Sequence, residues 1–238
     1  MKSFKSPNIE LRPDESIDDF MEGRLKLIQS RKGYRFSIDA ILLSEFVSIK
    51  PGDIIVDLGT GCGIIPMVIL LKGVIGYAYG LEIQPELANQ AVRNALLNGF
   101  EKKMGVILGE FRNPPLRPSS ADVVVCNPPY RQRESGRINP DPQRAIARHE
   151  IRTSLNEILN AARGLLKPKG RLAMIYPAVR LEDIMARMRG FNLEPKRLQV
   201  IYPSLESEAK LVLIEAAADG RGGVKLMPPL INQGNFSP

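Results

Sequence analysis

Asn127-Pro128-Pro129-Tyr130 sets a carboxamide, two prolines and an aromatic ring directly after the apolar run Val123-Val124-Val125-Cys126. Two consecutive prolines fix φ and remove two backbone donors, so the segment is stiff. Such a turn aims the Asn127 side-chain oxygen and the Pro128 carbonyl at one point, with the Tyr130 ring beside it. Two acceptors at one point suit an exocyclic amine. Its lone pair is delocalised into a planar ring, and it attacks a methyl group well only once both N–H bonds are held and the nitrogen is pyramidalised. The nitrogen becomes acidic after methylation, so no general base is required beforehand, and positioning and electrostatics carry the rate. The bland alternative for the same four residues is a rigid turn after a strand.

Upstream, Asp57-Leu58-Gly59-Thr60-Gly61-Cys62-Gly63 follows a β-rich run and opens a helical one, the place where open α/β sheets let backbone approach a nucleotide. Gly59, Gly61 and Gly63 give G-x-G-x-G, and Ile64 stands where a dinucleotide fingerprint has Gly or Ala. A purely structural tight turn is the competing reading. Glu82, ending the next β-rich run, suits the two ribose hydroxyls of an adenosine group. Glu110, past the third such run, is either a contact for an adenine amine or a surface carboxylate. Asp57, Glu82 and Glu110 fall at one edge of a parallel sheet. The methyl donor matching these parts is S-adenosylmethionine.

The elements that must position these residues alternate. Strands are expected at 54–58, 77–82, 106–109, 121–126 and 171–176, with helices at 85–98 and 154–166, the order of a mainly parallel sheet with helices on both faces. A helical stretch near 181–188 is followed by strands at 198–202 and 211–216, whose short link suits an antiparallel pair. Before the glycine loop, Ser37 is placed to cap a helix whose Ile38, Ile41, Leu42, Phe46 and Ile49 share a face, and Pro51-Gly52 stops it. Earlier still, 24–29 and 34–36 around Arg31-Lys32-Gly33 are expected to make a small basic hairpin. The implied organisation is an N-terminal extension (1–36), one α/β domain (37–218) and a C-terminal surface tail (219–238).

With 238 residues, 44% hydrophobic and 25% charged, the composition is that of an ordinary globular protein. The apolar stretch Ile64 to Leu71 is too short to span a membrane, and no apolar segment follows the first lysines. A cytoplasmic protein is expected. Cys62 and Cys126 read as small buried residues rather than a disulfide or a metal set. The formal charge of +7 permits an anionic partner. Arg24, Lys26, Arg31, Lys32 and Arg35 form a run without an acid, and residues 131–152 carry six arginines, Arg131, Arg133 and Arg137 among them, against three acids. Solvated loops are the plain account of such runs. Their placement beside Tyr130 and before the glycine loop favours contact with a nucleic-acid backbone by at least one of them.

Asp57-Leu-Gly-Thr-Gly-Cys-Gly63, Leu81-Glu-Ile and Asn127-Pro-Pro-Tyr130 together resemble the signature of class I S-adenosylmethionine-dependent methyltransferases, in their amino-methylating branch, from about Gly33 to Ala217. More narrowly, the segment from Gly33 to Leu43, the arginine-rich stretch and Ala147-Arg-His-Glu150 resemble bacterial enzymes that methylate adenine N6 in the anticodon loop of a valine tRNA. The resemblance implies a Rossmann-like, seven-stranded, mainly parallel sheet with an antiparallel last strand, and S-adenosylmethionine over the glycine loop. It also implies tRNA or another structured RNA as partner, with a flipped adenine stacked on Tyr130. The family's residues carry over to Asp57, Gly59, Gly61, Gly63, Glu82, Asn127, Pro128 and Tyr130. Phe36 and Asp39 are placed near the methionine end of the cofactor. His149 reads as a packing or loop-ordering residue, and neither a metal nor a stable protein partner is expected.

The four-residue motif also occurs in methyltransferases that modify a glutamine amide of release factors, which usually carry a sizeable helical domain before the glycine loop. A non-catalytic RNA-binding module with a cofactor-shaped fold is a further alternative. A DNA adenine methylase and a nicotinamide dehydrogenase fit the chain less well.

Overall fold

Strand periodicity writes two faces into this sheet. Ile55, Val123, Val125, Ala173, Ile175 and Leu213 point into one buried cluster, and their neighbours Val56, Leu58, Val124, Cys126, Leu172, Met174 and Ile214 point into another. The computed structural model describes residues 9–31, 37–128 and 155–231. A separate hairpin, β1 (Glu15–Phe20) with β2 (Leu25–Ser30), precedes the domain. The body of the sheet is β3 (Ile54–Leu58), β4 (Tyr77–Glu82), β5 (Met104–Leu108), β6 (Ala121–Cys126), β7 (Leu166–Pro177), β8 (Leu193–Tyr202) and β9 (Leu211–Ala218). Their spatial order is β8-β9-β7-β6-β3-β4-β5. Only β9 is reversed, pairing antiparallel with both β7 and β8. The mainly parallel sheet with an antiparallel last strand is therefore present.

Helices cover both faces. On one side lie α1 (Ile38–Phe46) and α2 (Ile64–Leu71), together with the inward face of α3 (Pro85–Leu97); on the other lie α4 (Leu155–Leu165) and α5 (Leu181–Gly190). The buried side of α3 includes three alanines, Ala88, Ala91 and Ala95, beside Leu87, Gln90 and Asn94. Ionic contacts tie the opposite, N-terminal edge of the sheet: Lys167 reaches Asp122 at 2.8 Å, and Arg171 pairs with Asp53.

Three departures from the sequence expectation have physical causes. Among the described residues, the strand that pairs with β2 is 15–20. That strand was hidden because it reads as polar, yet the buried member, Glu15, is neutralised by Arg93, which forks onto both its oxygens at 2.5 and 2.6 Å. Residues 34–36 lie outside the described residues. Ser37 holds the N-cap position of α1 in an extended conformation without a side-chain capping bond, and the helix ends at Phe46, short of Ile49. Finally, the stretch after Asp219 adds β10 (Lys225–Leu226) and β11 (Leu230–Ile231), each parallel to the outer edge of β8, so the sheet has nine strands. Short added strands of this kind blunt an open sheet edge.

Candidate active site

Leu58, Leu81 and Cys126 lie in register across β4-β3-β6. The next residue on each strand is Gly59, Glu82 and Asn127, so the glycine loop, the carboxylate and the amide emerge together at the C-terminal edge of three adjacent strands. After β3 the chain proceeds outward through β4 and β5, then returns to lay β6 on the other side of β3. That reversal opens a crevice at the carboxyl ends of β3 and β6, the place where open α/β sheets take ligands.

The loop from Gly59 to Gly63 is shaped by backbone that needs glycine at three positions, with φ of 78°, 57° and 87° at Gly59, Gly61 and Gly63. The Gly59 and Thr60 amides both donate to the Leu81 carbonyl at 2.9 Å, which hangs the loop on β4. Glu82 then fixes it from the side: one oxygen accepts the Gly61 amide at 2.8 Å, and the other accepts the Gln84 amide at 2.9 Å. Gly80 is needed for packing, since a Cβ there would come within 2.7 Å of the Thr60 side chain.

The electrostatics are unusual for so small a volume. Asp57 has no exposed surface, and neither of its oxygens nor the buried Thr60 hydroxyl has a hydrogen-bond partner of normal geometry. Burial pushes the Asp57 carboxyl up to about 7, opposed in part by the nearby Thr60 hydroxyl and reinforced by the Glu82 charge. Glu82 is also raised, mainly by burial, while the Gln84 and Gly61 amides pull the other way. Burial drives the Cys62 thiol to about 12 and raises Cys126 as well, and both are free. The two cysteines are thus inert packing residues.

The other expected residues are spread more widely. Pro128 is buried beside Asn127. Glu110 stands at the same sheet edge, beyond β5, but is half-exposed and paired with Arg112. Asp39 lies half-buried in the first turn of α1, where burial raises its carboxyl. Arg31 is exposed just after β2. Phe36, Lys32, Pro129, Tyr130, Arg131, Arg133, Arg137 and His149 lie outside the described residues. Thr60, Gly80 and Asn94 were missed by sequence reasoning. Asn94 alone carried a signal: an amide on the alanine-rich face of a helix, four residues before a second asparagine.

A family model described as a methyltransferase domain matches residues 49–213, from just after α1 to the start of β9. The chain belongs to that family. It is a methyltransferase whose glycine loop, Glu82 and Asn127 all fall within the matched span. A tRNA1(Val) (adenine(37)-N6)-methyltransferase of Porphyromonas gingivalis is 31% identical over 175 residues, covering 70% of this chain and 68% of that protein. Among solved structures, a predicted O-methyltransferase from Agrobacterium tumefaciens aligns with a TM-score of 0.65 at 20% identity, over 81% of this chain and 86% of that one. The geranyl diphosphate C-methyltransferase of Streptomyces coelicolor A3(2), whose structure holds S-adenosyl-L-homocysteine, aligns with a TM-score of 0.57 at 15% identity, over 75% and 76%. At these identities the two structures speak for the fold.

The cofactor of the methyltransferase is S-adenosylmethionine, and the crevice suits it. Gly59 leaves open space where a side chain would stand, Glu82 retains acceptor capacity beyond the two amides it holds, and the orphaned oxygens of Asp57 supply negative potential for a cationic ligand. Among the described residues no helix is long and apolar enough to cross a membrane, and no cluster of potential metal ligands occurs.

Proposed function

We propose that this methyltransferase modifies the exocyclic N6 of an adenine in tRNA. The observation that carries the reading is the position of Asn127, one residue beyond β6 and directly across the crevice from Gly59. An amide there meets a methyl donor lying over the glycine loop. The cofactor supplies an electrophilic methyl group. Asn127 and the Pro128 carbonyl accept the two N–H bonds of the amine and hold its nitrogen in line; the N–C bond forms as the C–S bond breaks, and the surplus proton leaves to water. Glu82 holds the ribose hydroxyls, with Asp57, Gly59, Gly61 and Gly63 forming the rest of the cradle and Phe36 and Asp39 toward the methionine end. Tyr130 stacks on the base, and Pro129 stiffens the segment between. Arg31, Lys32, Arg131, Arg133 and Arg137 contact phosphates, as the cationic character of the chain supports. Glu110, engaged by Arg112, serves the adenine only if it exchanges that partner.

The name of the Porphyromonas gingivalis relative favours RNA over a protein amide, as does the basic run in and after β2. Such an enzyme works in the cytoplasm. The domain limits proposed with this reading are an N-terminal extension to residue 36, a methyltransferase domain over 37–218 and a C-terminal segment from 219 whose β10 and β11 edge the sheet. The test is to incubate the protein with labelled S-adenosylmethionine and separate pools of tRNA, DNA and release factor. Label in tRNA, recovered after digestion as N6-methyladenosine, is the expected result; label in release factor overturns it.

A further inference from the structure

Asn94 has no exposed surface, and its carboxamide is engaged on every side. Its oxygen accepts the Ile28 amide at 2.7 Å, while its nitrogen donates to the Ile28 carbonyl at 3.2 Å and to the Cys62 carbonyl at 3.0 Å. One turn later, Asn98 accepts the Lys26 amide at 2.9 Å and donates to the Lys26 carbonyl at 2.8 Å. The match is metric. Positions four apart on a helix rise about 6 Å, and positions two apart on a strand span about 6.8 Å. Two asparagines on α3 therefore act as a surrogate strand along the free edge of β2.

The two clamps differ in one respect. Asn98 binds β2, its own helix and, at 3.8 Å, the Met67 sulfur of α2, whereas Asn94 binds the Cys62 carbonyl in the middle of the glycine loop. The loop rests on the same helix face: a Cβ on Gly63 would come within 3.2 Å of the Ala91 side chain. Leu25 and Leu27 of the hairpin share a buried cluster with Cys62 and Ile64. The hairpin, α3 and the loop thus form one packed unit joined by a single buried amide.

We propose that Asn94 is a positioning residue for the cofactor, fixing the Cys62 carbonyl so that the docked N-terminal hairpin and the glycine loop hold each other in the binding geometry. The proposal rests on the loop being the S-adenosylmethionine site. Removing the amide leaves buried backbone groups without partners in both the hairpin and the loop, whereas removing Asn98 frees no backbone group of the loop. Coupling of this kind is reciprocal: what the hairpin does for the cofactor, the cofactor does for the hairpin.

The test titrates S-adenosylmethionine by calorimetry into wild type, Asn94→Leu and Asn98→Leu, with thermal unfolding of each. Both variants should unfold at lower temperature. Only Asn94→Leu should bind the cofactor more weakly, by about tenfold or more, with turnover at saturating cofactor close to wild type. Wild-type affinity in Asn94→Leu, or an equal loss in Asn98→Leu, overturns the proposal. Should Asn94→Leu fail to fold, Asn94→Asp keeps the shape and the acceptor while losing both donors, and is expected to show the same split. Hydrogen exchange on the wild-type protein gives a reading that needs no variant: cofactor should slow exchange of the Ile28 amide, and an unchanged rate there overturns the coupling. If wild type itself fails to bind S-adenosylmethionine, it is the cofactor reading of the loop that falls.

Discussion

The Gly61 amide donates to a Glu82 carboxylate oxygen over 2.8 Å, joining the glycine loop after β3 to the end of β4. One acid thereby shapes the loop and stands ready for a ligand, since each carboxylate oxygen has a lone pair beyond the one given to Gly61 or Gln84. Glu82→Ala removes both functions. Cofactor affinity measured by calorimetry should fall by about tenfold to a hundredfold, as expected for losing charge-assisted bonds of about 1.5 to 3 kcal/mol. Glu82→Gln, which keeps an acceptor and roughly the same volume, should recover part of the loss.

Asp57 makes stability depend on pH with a sign opposite to that of a salt-bridged carboxylate. Its folded-state value of about 7 lies above the ordinary value of 3.8, so between those limits the native state binds more protons than the unfolded chain. Stability contributed by this group is greatest at low pH and is lost as pH rises from about 4 to 7. Asp57→Asn should raise the midpoint of thermal unfolding at pH 8, by an amount corresponding to a few kcal/mol at most, and should flatten the profile across that window. A cationic cofactor favours the ionised forms of Asp57 and Glu82. Binding near pH 6.5 should therefore release protons, detected as a binding enthalpy that differs between phosphate and Tris buffers.

The edge that carries the candidate site was legible because its signals are local. The strands 54–58, 77–82 and 121–126 were expected with the limits they have, since each is a short apolar run closed by a glycine, an acid or an Asn-Pro pair. Asp57 and Glu82 followed from strand ends. What stayed hidden depends on partners distant in sequence. Glu15 looked like part of an irregular polar stretch because Arg93, which makes its burial tolerable, lies 78 residues away. The clamp of Asn94 on Ile28 spans 66 residues, and the strand pairing of 225–226 and 230–231 depends on the bare edge of β8. No periodicity within any of these segments encodes such contacts.

Gly80 looks like an ordinary strand glycine, yet its missing side chain makes room for Thr60. A Cβ at position 80 would lie 2.7 Å from both Cγ2 and Oγ1 of Thr60, whose short, branched and buried side chain has no room to swing aside. Gly80→Ala should therefore displace the glycine loop. The expected result is a destabilisation of about 1 to 3 kcal/mol in denaturant unfolding, with cofactor affinity reduced in parallel. Gly105→Ala, on the neighbouring strand, offers a control remote from the loop, since its added Cβ would meet only tyrosine side chains, none closer than 3.1 Å.

If Arg133 and Arg137 neutralise phosphates, reversing their charge should weaken tRNA binding and make it less sensitive to salt. For every phosphate no longer neutralised, the slope of log affinity against log salt should become shallower by about 0.7 to 0.9. Filter binding over a range of salt concentrations measures this. A slope identical to wild type would place these arginines away from the RNA.

Asn127 separates binding from chemistry. It lies one residue past β6, level with Gly59 and Glu82 on the neighbouring strands, whereas the bonds that hang the glycine loop on β4 run from the Gly59, Thr60 and Gly61 amides to Leu81 and Glu82. Asn127→Ala should therefore bind S-adenosylmethionine with an affinity close to wild type. The transfer step is different, because an exocyclic amine becomes nucleophilic only while its N–H bonds are held. Loss of one preorganised partner at the reacting atom typically costs about a hundredfold to a thousandfold in turnover. Single-turnover methylation of tRNA at saturating protein measures that step apart from RNA binding. Asn127→Asp keeps the acceptor oxygen and should retain more activity than the alanine variant, whereas near-normal transfer by Asn127→Ala would remove the amide from the reaction altogether.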